Sequence, residues 1–293
     1  MEGEIINFLF NGTVNGAVFS LVALGYSLTY GVGHIMNLAH GAFFMMTGYM
    51  LFWFPSFLPE IPWLIAIIVV AFITIIGGIS YILLIKPLQD TNVGVVLITF
   101  GLAFFFQEYV FALSGTTSRS VKEYKIFDGV LETPSFSYIN QFIFLIIASL
   151  IIVTAFALFI NKSKLGKSIR AVSQDKEAAS LMGINANRVL LYTLMISSFL
   201  VSIAAVLYLP AASLDGPAMG WGYLTNSFAV VILGGMGSLV GSVVGAYIVG
   251  YVTSFTSVFI PNGPSWAHLV PIIVIVVMLL IRPQGLFGKK ELR

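Results

Sequence analysis

Apolar residues fall along this chain in nine blocks separated by short polar breaks, at roughly 5–30, 42–54, 62–85, 93–113, 139–160, 189–209, 226–239, 241–260 and 267–281. A helix needs about 20 apolar residues to cross a hydrocarbon core about 30 Å thick. The blocks are long rather than alternating, so they predict helices and not strands. The pattern therefore predicts an all-α, polytopic integral membrane protein with about eight or nine transmembrane helices. Block 42–54 would be about 20 Å long at a rise of about 1.5 Å per residue, which is shorter than the core. It is either a half-helix or a short full crossing, which is why the count stands at eight or nine. No shift in pattern divides the chain, and residues 1–293 read as a single transmembrane domain with one polar loop at about 161–188.

Composition strengthens this picture. Of the 293 residues, 58% are hydrophobic and only 9% charged, and no Asp, Glu, Lys or Arg occurs from Ile5 to Pro59 or from Gly216 to Ile281. A water-soluble fold of this size has no interior large enough to hide that much apolar surface. A cleaved leader needs a basic segment ahead of its apolar run, whereas Met1, Glu2, Gly3 and Glu4 precede Ile5, so the first block is expected to be retained. The absence of cysteine excludes disulfides and Cys-ligated metals. A net charge of +2 gives no reason to expect nucleic acid as a partner.

Charge placement sets an orientation. Ten of the 14 basic residues lie in two groups, Lys162, Lys164, Lys167, Arg170, Lys176 and Arg188, then Arg282, Lys289, Lys290 and Arg293. The positive-inside rule makes both groups cytoplasmic. Counting back puts residues 114–137 outside and Lys86 inside and, if every block crosses, the N-terminus outside. The expected location is a cell membrane, with lipid as the solvent of the fold.

Four features are candidates for chemistry. Gly31 to Gly41 is a glycine-bounded polar interruption, and irregular backbone at membrane depth survives where protein or a water-filled cavity satisfies it. If helix begins by Asn37, then Asn37, His40 and Gly41 share one face and are candidates for a translocation path; a plain turn between helices is the other reading. His34 and His40 are off the spacing of a helical metal pair, and no metal or other cofactor is expected. Small residues four apart, Gly237, Gly241 and Gly245, beside Gly234, Ser238, Ser242, Ala246 and Gly250, suit close helix packing within the chain or between subunits, and Gly12 and Gly16 repeat the pattern. Glu108 is the carboxylate well inside a predicted span, either a path residue or a side chain that reaches water at the outer end. No Lys or Arg sits in mid-membrane, so neutral, zwitterionic or apolar cargo fits better than a strongly anionic one. No paired carboxylates, His cluster or Ser-His arrangement supports an intramembrane enzyme.

The polar loop is the most informative segment. Gly166-Lys167-Ser168 imitates the end of a phosphate-binding loop, but Asn161 stands where that motif needs its first glycine, so ATP is not expected to bind here. Asp175 can cap a short helix over Lys176–Met182 that stops at Gly183, a natural residue after a helix end. Ala178, Leu181 and Met182 then form a small apolar face directed into water, suited to a groove on a soluble partner or to the lipid surface.

Within that loop, Glu177-Ala-Ala-x-x-x-Gly183 resembles the coupling motif of ABC importer permeases. The wider run Gly166–Ile184, together with Ala23–Gly31, Asn37–Gly41 and Val231–Gly241, resembles the permeases of Liv-type, branched-chain amino acid importers along essentially the whole chain. One departure is that no Ile-x-Leu-Pro follows Gly183. The resemblance implies ABC ATPase subunits that hydrolyse ATP in place of this chain, a second, related permease, and an extracytoplasmic substrate-binding protein. It further implies that Glu177, Ala178, Ala179 and Gly183 couple to the ATPase, with Arg170 and Asp175 supporting the loop. A stand-alone channel or facilitator is the competing reading; it explains the glycine-rich spans but not the capped helix.

Overall fold

The computed structural model describes residues 2–56, 61–89, 91–133 and 136–288. Lys289, Lys290 and Arg293 of the basic tail lie outside the described residues. Among the described residues there are twelve α-helices: α1 (Glu2–Gly33), α2 (His40–Trp53), α3 (Pro62–Ser80), α4 (Asn92–Ser114), α5 (Asn140–Lys162), α6 (Lys164–Gln174), α7 (Lys176–Leu181), α8 (Ala186–Tyr208), α9 (Met219–Gly234), α10 (Leu239–Phe259), α11 (Gly263–Ala267) and α12 (Val270–Ile281). A small antiparallel hairpin, β1 (Val130–Thr133) and β2 (Phe136–Ile139), precedes α5.

Each of the nine apolar blocks holds one of these helices. Six are long and apolar enough to cross a bilayer: α1, α3 with its continuation to Leu88, α4, α5, α8 and α10. The other three, α2, α9 and α12, have 14, 16 and 12 residues. Block 42–54, read as a half-helix or a short crossing, is α2, and the two later short blocks join it as helices below full crossing length. Helix α9 begins at Met219, seven residues before its block, because the stretch from Trp221 to Asn226 mixes aromatic and polar side chains that hide its period.

The two breaks in the fold explain the short helices. From Gly33 the chain turns back without helical structure over residues 34–39 and starts α2 at His40, beside the middle of α1, where His40 Nε2 lies 2.9 Å from the Val22 carbonyl. From Tyr208 a second irregular stretch leads to α9, whose Gly220 abuts Gly41. A Cβ on either glycine would run into the other's carbonyl oxygen. The N-terminal ends of α2 and α9 thus meet back to back at the centre.

This meeting point relates two halves of the chain. Helices α1 and α8 are antiparallel, with Gly33 against Leu190 and Gly25 against Ser197. Packing is exchanged between halves: α3 lies on α8 and α10 on α1, while α2 and α9 pack on each other, with α4 flanking α2 and α12 flanking α9. Corresponding helix starts (40 and 219, 62 and 239, 92 and 270) are separated by about 178 residues throughout, the mark of an inverted repeat.

Helix α10 shows how the sequence sorts its faces. Val240, Val244, Ile248 and Val252 form an exposed stripe four apart, as a lipid-facing surface requires, while Gly241, Gly245, Ala246 and Gly250 face inward. Gly245 meets Val230 and Gly234 of α9, and Gly250 meets Gly12 and Gly16 of α1. The small-residue stripes therefore pack within the chain. Gly237 departs from the expected stripe. It precedes α10 in a tight turn with φ of +80°, next to Gly235 at +104°, where a side chain would be strained.

Candidate functional site

The polar loop folds as two short helices set against the ends of α5 and α8. Ser163 caps α6, its side-chain oxygen accepting from the Gly166 amide at 2.8 Å, and Arg170 donates to Asn161 Oδ1 at 2.9 Å, which ties α6 back to α5. Ile169 and Val172 turn inward to a cluster with Ile160, Ala186 and Val189. The first of the two helices is therefore anchored by an apolar face and by a guanidinium.

Helix α7 is closed at both ends. Asp175 Oδ1 accepts from the amides of Glu177 and Ala178, each at 2.9 Å. At the other end Gly183, with φ of +84°, donates to the Ser180 carbonyl while Ile184 donates to that of Ala179. This pair of bonds is the Schellman arrangement, and it requires a residue tolerant of the left-handed region. Only six residues long, α7 owes its shape to these caps and to Ala179, the residue it buries.

The sequence-predicted coupling residues separate by direction. Glu177 and Ala178 face solvent. Ala179 is only 6% exposed and packs inward, so it supports α7 and does not present a surface. Leu181 and Met182, which sequence reasoning placed on the apolar face but not among the coupling residues, are 89% and 83% exposed. Two large apolar side chains exposed on a capped turn form a face suited to a covering partner or to the lipid surface.

The central break is built differently from its sequence expectation. Asn37 is not helical, because α2 starts three residues later; its Oδ1 instead accepts from the Ala39 amide at 3.1 Å. Thr99 of α4 satisfies the stretch further, accepting from the Leu38 amide at 3.2 Å and donating to carbonyls that include that of Met36, at 3.3 Å. His40 is fully buried, with Nδ1 3.2 Å from Ser197 Oγ and its ring set edgewise to Tyr26. Gly41 is the glycine that meets Gly220. At all three residues the break is met by protein partners. Glu108 is exposed on α4; the neighbouring Gln107 accepts a hydrogen bond from Trp221 Nε1 of α9.

Comparison with known proteins agrees with this architecture. Residues 8–279 match the family model described as "Branched-chain amino acid transport system / permease component". The chain is 28% identical to the high-affinity branched-chain amino acid transport system permease protein LivH of Salmonella typhimurium, with 99% of each chain covered. It is 26% identical to the corresponding permease protein BraD of Pseudomonas aeruginosa, over 97% of this chain and 95% of that one. Among solved structures, PsaBC from Streptococcus pneumoniae in complex with Fab matches with a TM-score of 0.52 at 16% identity, covering 96% of this chain and 94% of that chain, a likeness of fold.

Proposed function

Because this chain belongs to the family of permease components of branched-chain amino acid transport systems, we propose that it forms half of the translocation path of an ATP-driven importer for branched-chain or similarly apolar amino acids. ATP is hydrolysed on partner ABC subunits, a second, related permease supplies the other half, and an extracytoplasmic binding protein delivers the solute. The observation that carries this reading is α7, a capped helix whose Leu181 and Met182 stand exposed, with no other described residue covering them.

In this reading α7 seats in a groove on the ATPase, in the manner of an amphipathic helix in an apolar cleft. Closure of the ATPase pair displaces α7, and α6 passes the movement to α5 through Arg170 and to α8 through the cluster around Ile169. The coupling loop and the C-terminus are cytoplasmic. On that orientation the N-terminal end of α1 is on the outer face, a reading supported by the antiparallel run of α1 and α8 and by the contact of α7 with α8.

The test is the double variant Leu181→Asp, Met182→Asp. Both side chains are solvent-exposed, so the protein stays folded in the membrane. Loss of two central anchors of an interface costs at least about 2 kcal/mol, a weakening of more than about tenfold in ATPase retention. ATP-dependent uptake falls in parallel. Unchanged co-purification of the ATPase together with unchanged uptake would overturn the coupling role of α7. Solute flux through the purified chain alone, without ATP, would favour a facilitator instead.

A further inference from the structure

Away from the coupling segment, a cleft of about 610 Å³ opens between α1, α9, α10 and the turn joining α11 to α12. Phe19, Trp221, Tyr223 and Ile272 give it an apolar and aromatic wall. Asn226 and Thr253 belong to the same wall, and their Oδ1 and Oγ1 atoms are buried with no hydrogen-bond partner among the described residues. Leaving such a group unpaired costs about 1–3 kcal/mol, and most buried polar atoms have a partner. Two such atoms in one cleft within the helical body mark a place where something polar is held. Asp215 and His268, both exposed, border the same cleft.

The inverted repeat supplies an internal control. Counting from the facing pair Gly41 and Gly220, the counterpart of Asn226 in α2 is Thr47. That hydroxyl is buried and fully used, donating to the Phe43 carbonyl at 2.7 Å and lying 2.9 Å from Ser202 Oγ. In the first half the position is closed by packing; in the second it opens on a cavity. The difference belongs to the second half and not to the fold as such.

We propose that this cleft holds the solute in transit, and that it selects a zwitterionic amino acid with an apolar side chain. This rests on the permease reading above and names its substrate site. Asn226 and Thr253 supply hydrogen bonds to the polar end of the solute, the Asp215 carboxylate attracts its ammonium group, and the aromatic wall receives its side chain. No Lys or Arg lines the cleft, which disfavours solutes of net negative charge. A sugar would need polar partners on several sides, and the wall does not provide them.

The chain contains no cysteine, so label found on this chain after the subunits are separated reports the introduced thiol alone. The experiment uses the assembled complex from the native membrane with Asn226→Cys, Thr253→Cys or, as a control on the exposed outer loop, Thr117→Cys, and follows labelling by a charged thiol reagent with and without leucine. Leucine at about ten times its half-saturating concentration is expected to slow labelling at both cleft positions about tenfold while leaving Thr117→Cys unchanged. A companion variant, Thr253→Val, is expected to raise the KM for leucine uptake by about tenfold, equivalent to one lost hydrogen bond, with maximal ATP turnover retained. Equal labelling at both cleft positions with and without leucine, in a complex that still transports leucine, overturns the site and leaves the permease reading intact. Failure of the unsubstituted complex to transport any amino acid breaks the permease reading itself.

Discussion

His40 shows how one side chain can hold two helices at a break. Its two ring nitrogens meet the Val22 carbonyl of α1 and the Ser197 hydroxyl of α8, and the buried ring packs against Tyr26. His40→Phe keeps the ring volume and removes both polar contacts, leaving Ser197 Oγ without this partner in a buried site. The expected cost is about 1–3 kcal/mol, read as a lower thermal midpoint of the detergent-solubilised protein. An unchanged midpoint would show that these two contacts carry no stability. At this scale the sequence revealed part of the design. The pairing of Asp175 with Gly183 was legible because each residue type has a local backbone reason to stand at a helix end. The inward turn of Ala179 and the burial of His40 were not, since the first depends on the cluster it joins with residues of α5 and α8, and the second on Ser197, 157 residues away.

Among the elements, α7 depends most on its ends. Six residues cannot sustain a helix alone, because nucleation is unfavourable and the interior adds too few bonds. Its geometry thus rests on Asp175 and on the left-handed Gly183. Gly183→Val places a branched side chain at φ of +84° and should destabilise the cap by roughly 1–2 kcal/mol. Amide hydrogen exchange over Lys176–Leu181 would then be about tenfold faster, with α8 unaffected. Exchange at the parent rate would mean that docking onto α6 and α8, rather than the cap, fixes the turn. The long apolar helices were legible from block length and hydropathy. Helix α9 was only half visible, because Trp221, Thr225 and Asn226 serve a cavity and a helix contact and so interrupt the apolar run that would have marked its first turns. The stripe through Gly237 was legible in part: that glycine does pack closely, against Gly31 of α1, but from a turn and not from a helix face, and the two uses look the same in sequence.

For the whole molecule, the exchange of helices between halves is the feature least visible in the sequence. The halves share no motif strong enough to announce a repeat, and the relation lies in the spacing of helix starts and in the reciprocal contact of Gly41 with Gly220. Gly41→Ala and Gly220→Ala each force one half-helix off the other, at a cost of about 1–3 kcal/mol. Since either change separates the same contact, the double variant should lose less than the sum, and strict additivity in a thermal-shift cycle would argue against a shared pivot. The exchange also has a consequence for biosynthesis. Helix α1 leaves the ribosome well before α10, whose Tyr247, Tyr251 and Gly250 cover its Gly12 and Gly16 and emerge more than 200 residues later. Until then the small-residue face of α1 waits in lipid or against a chaperone, so a helix made late locks one made much earlier in place.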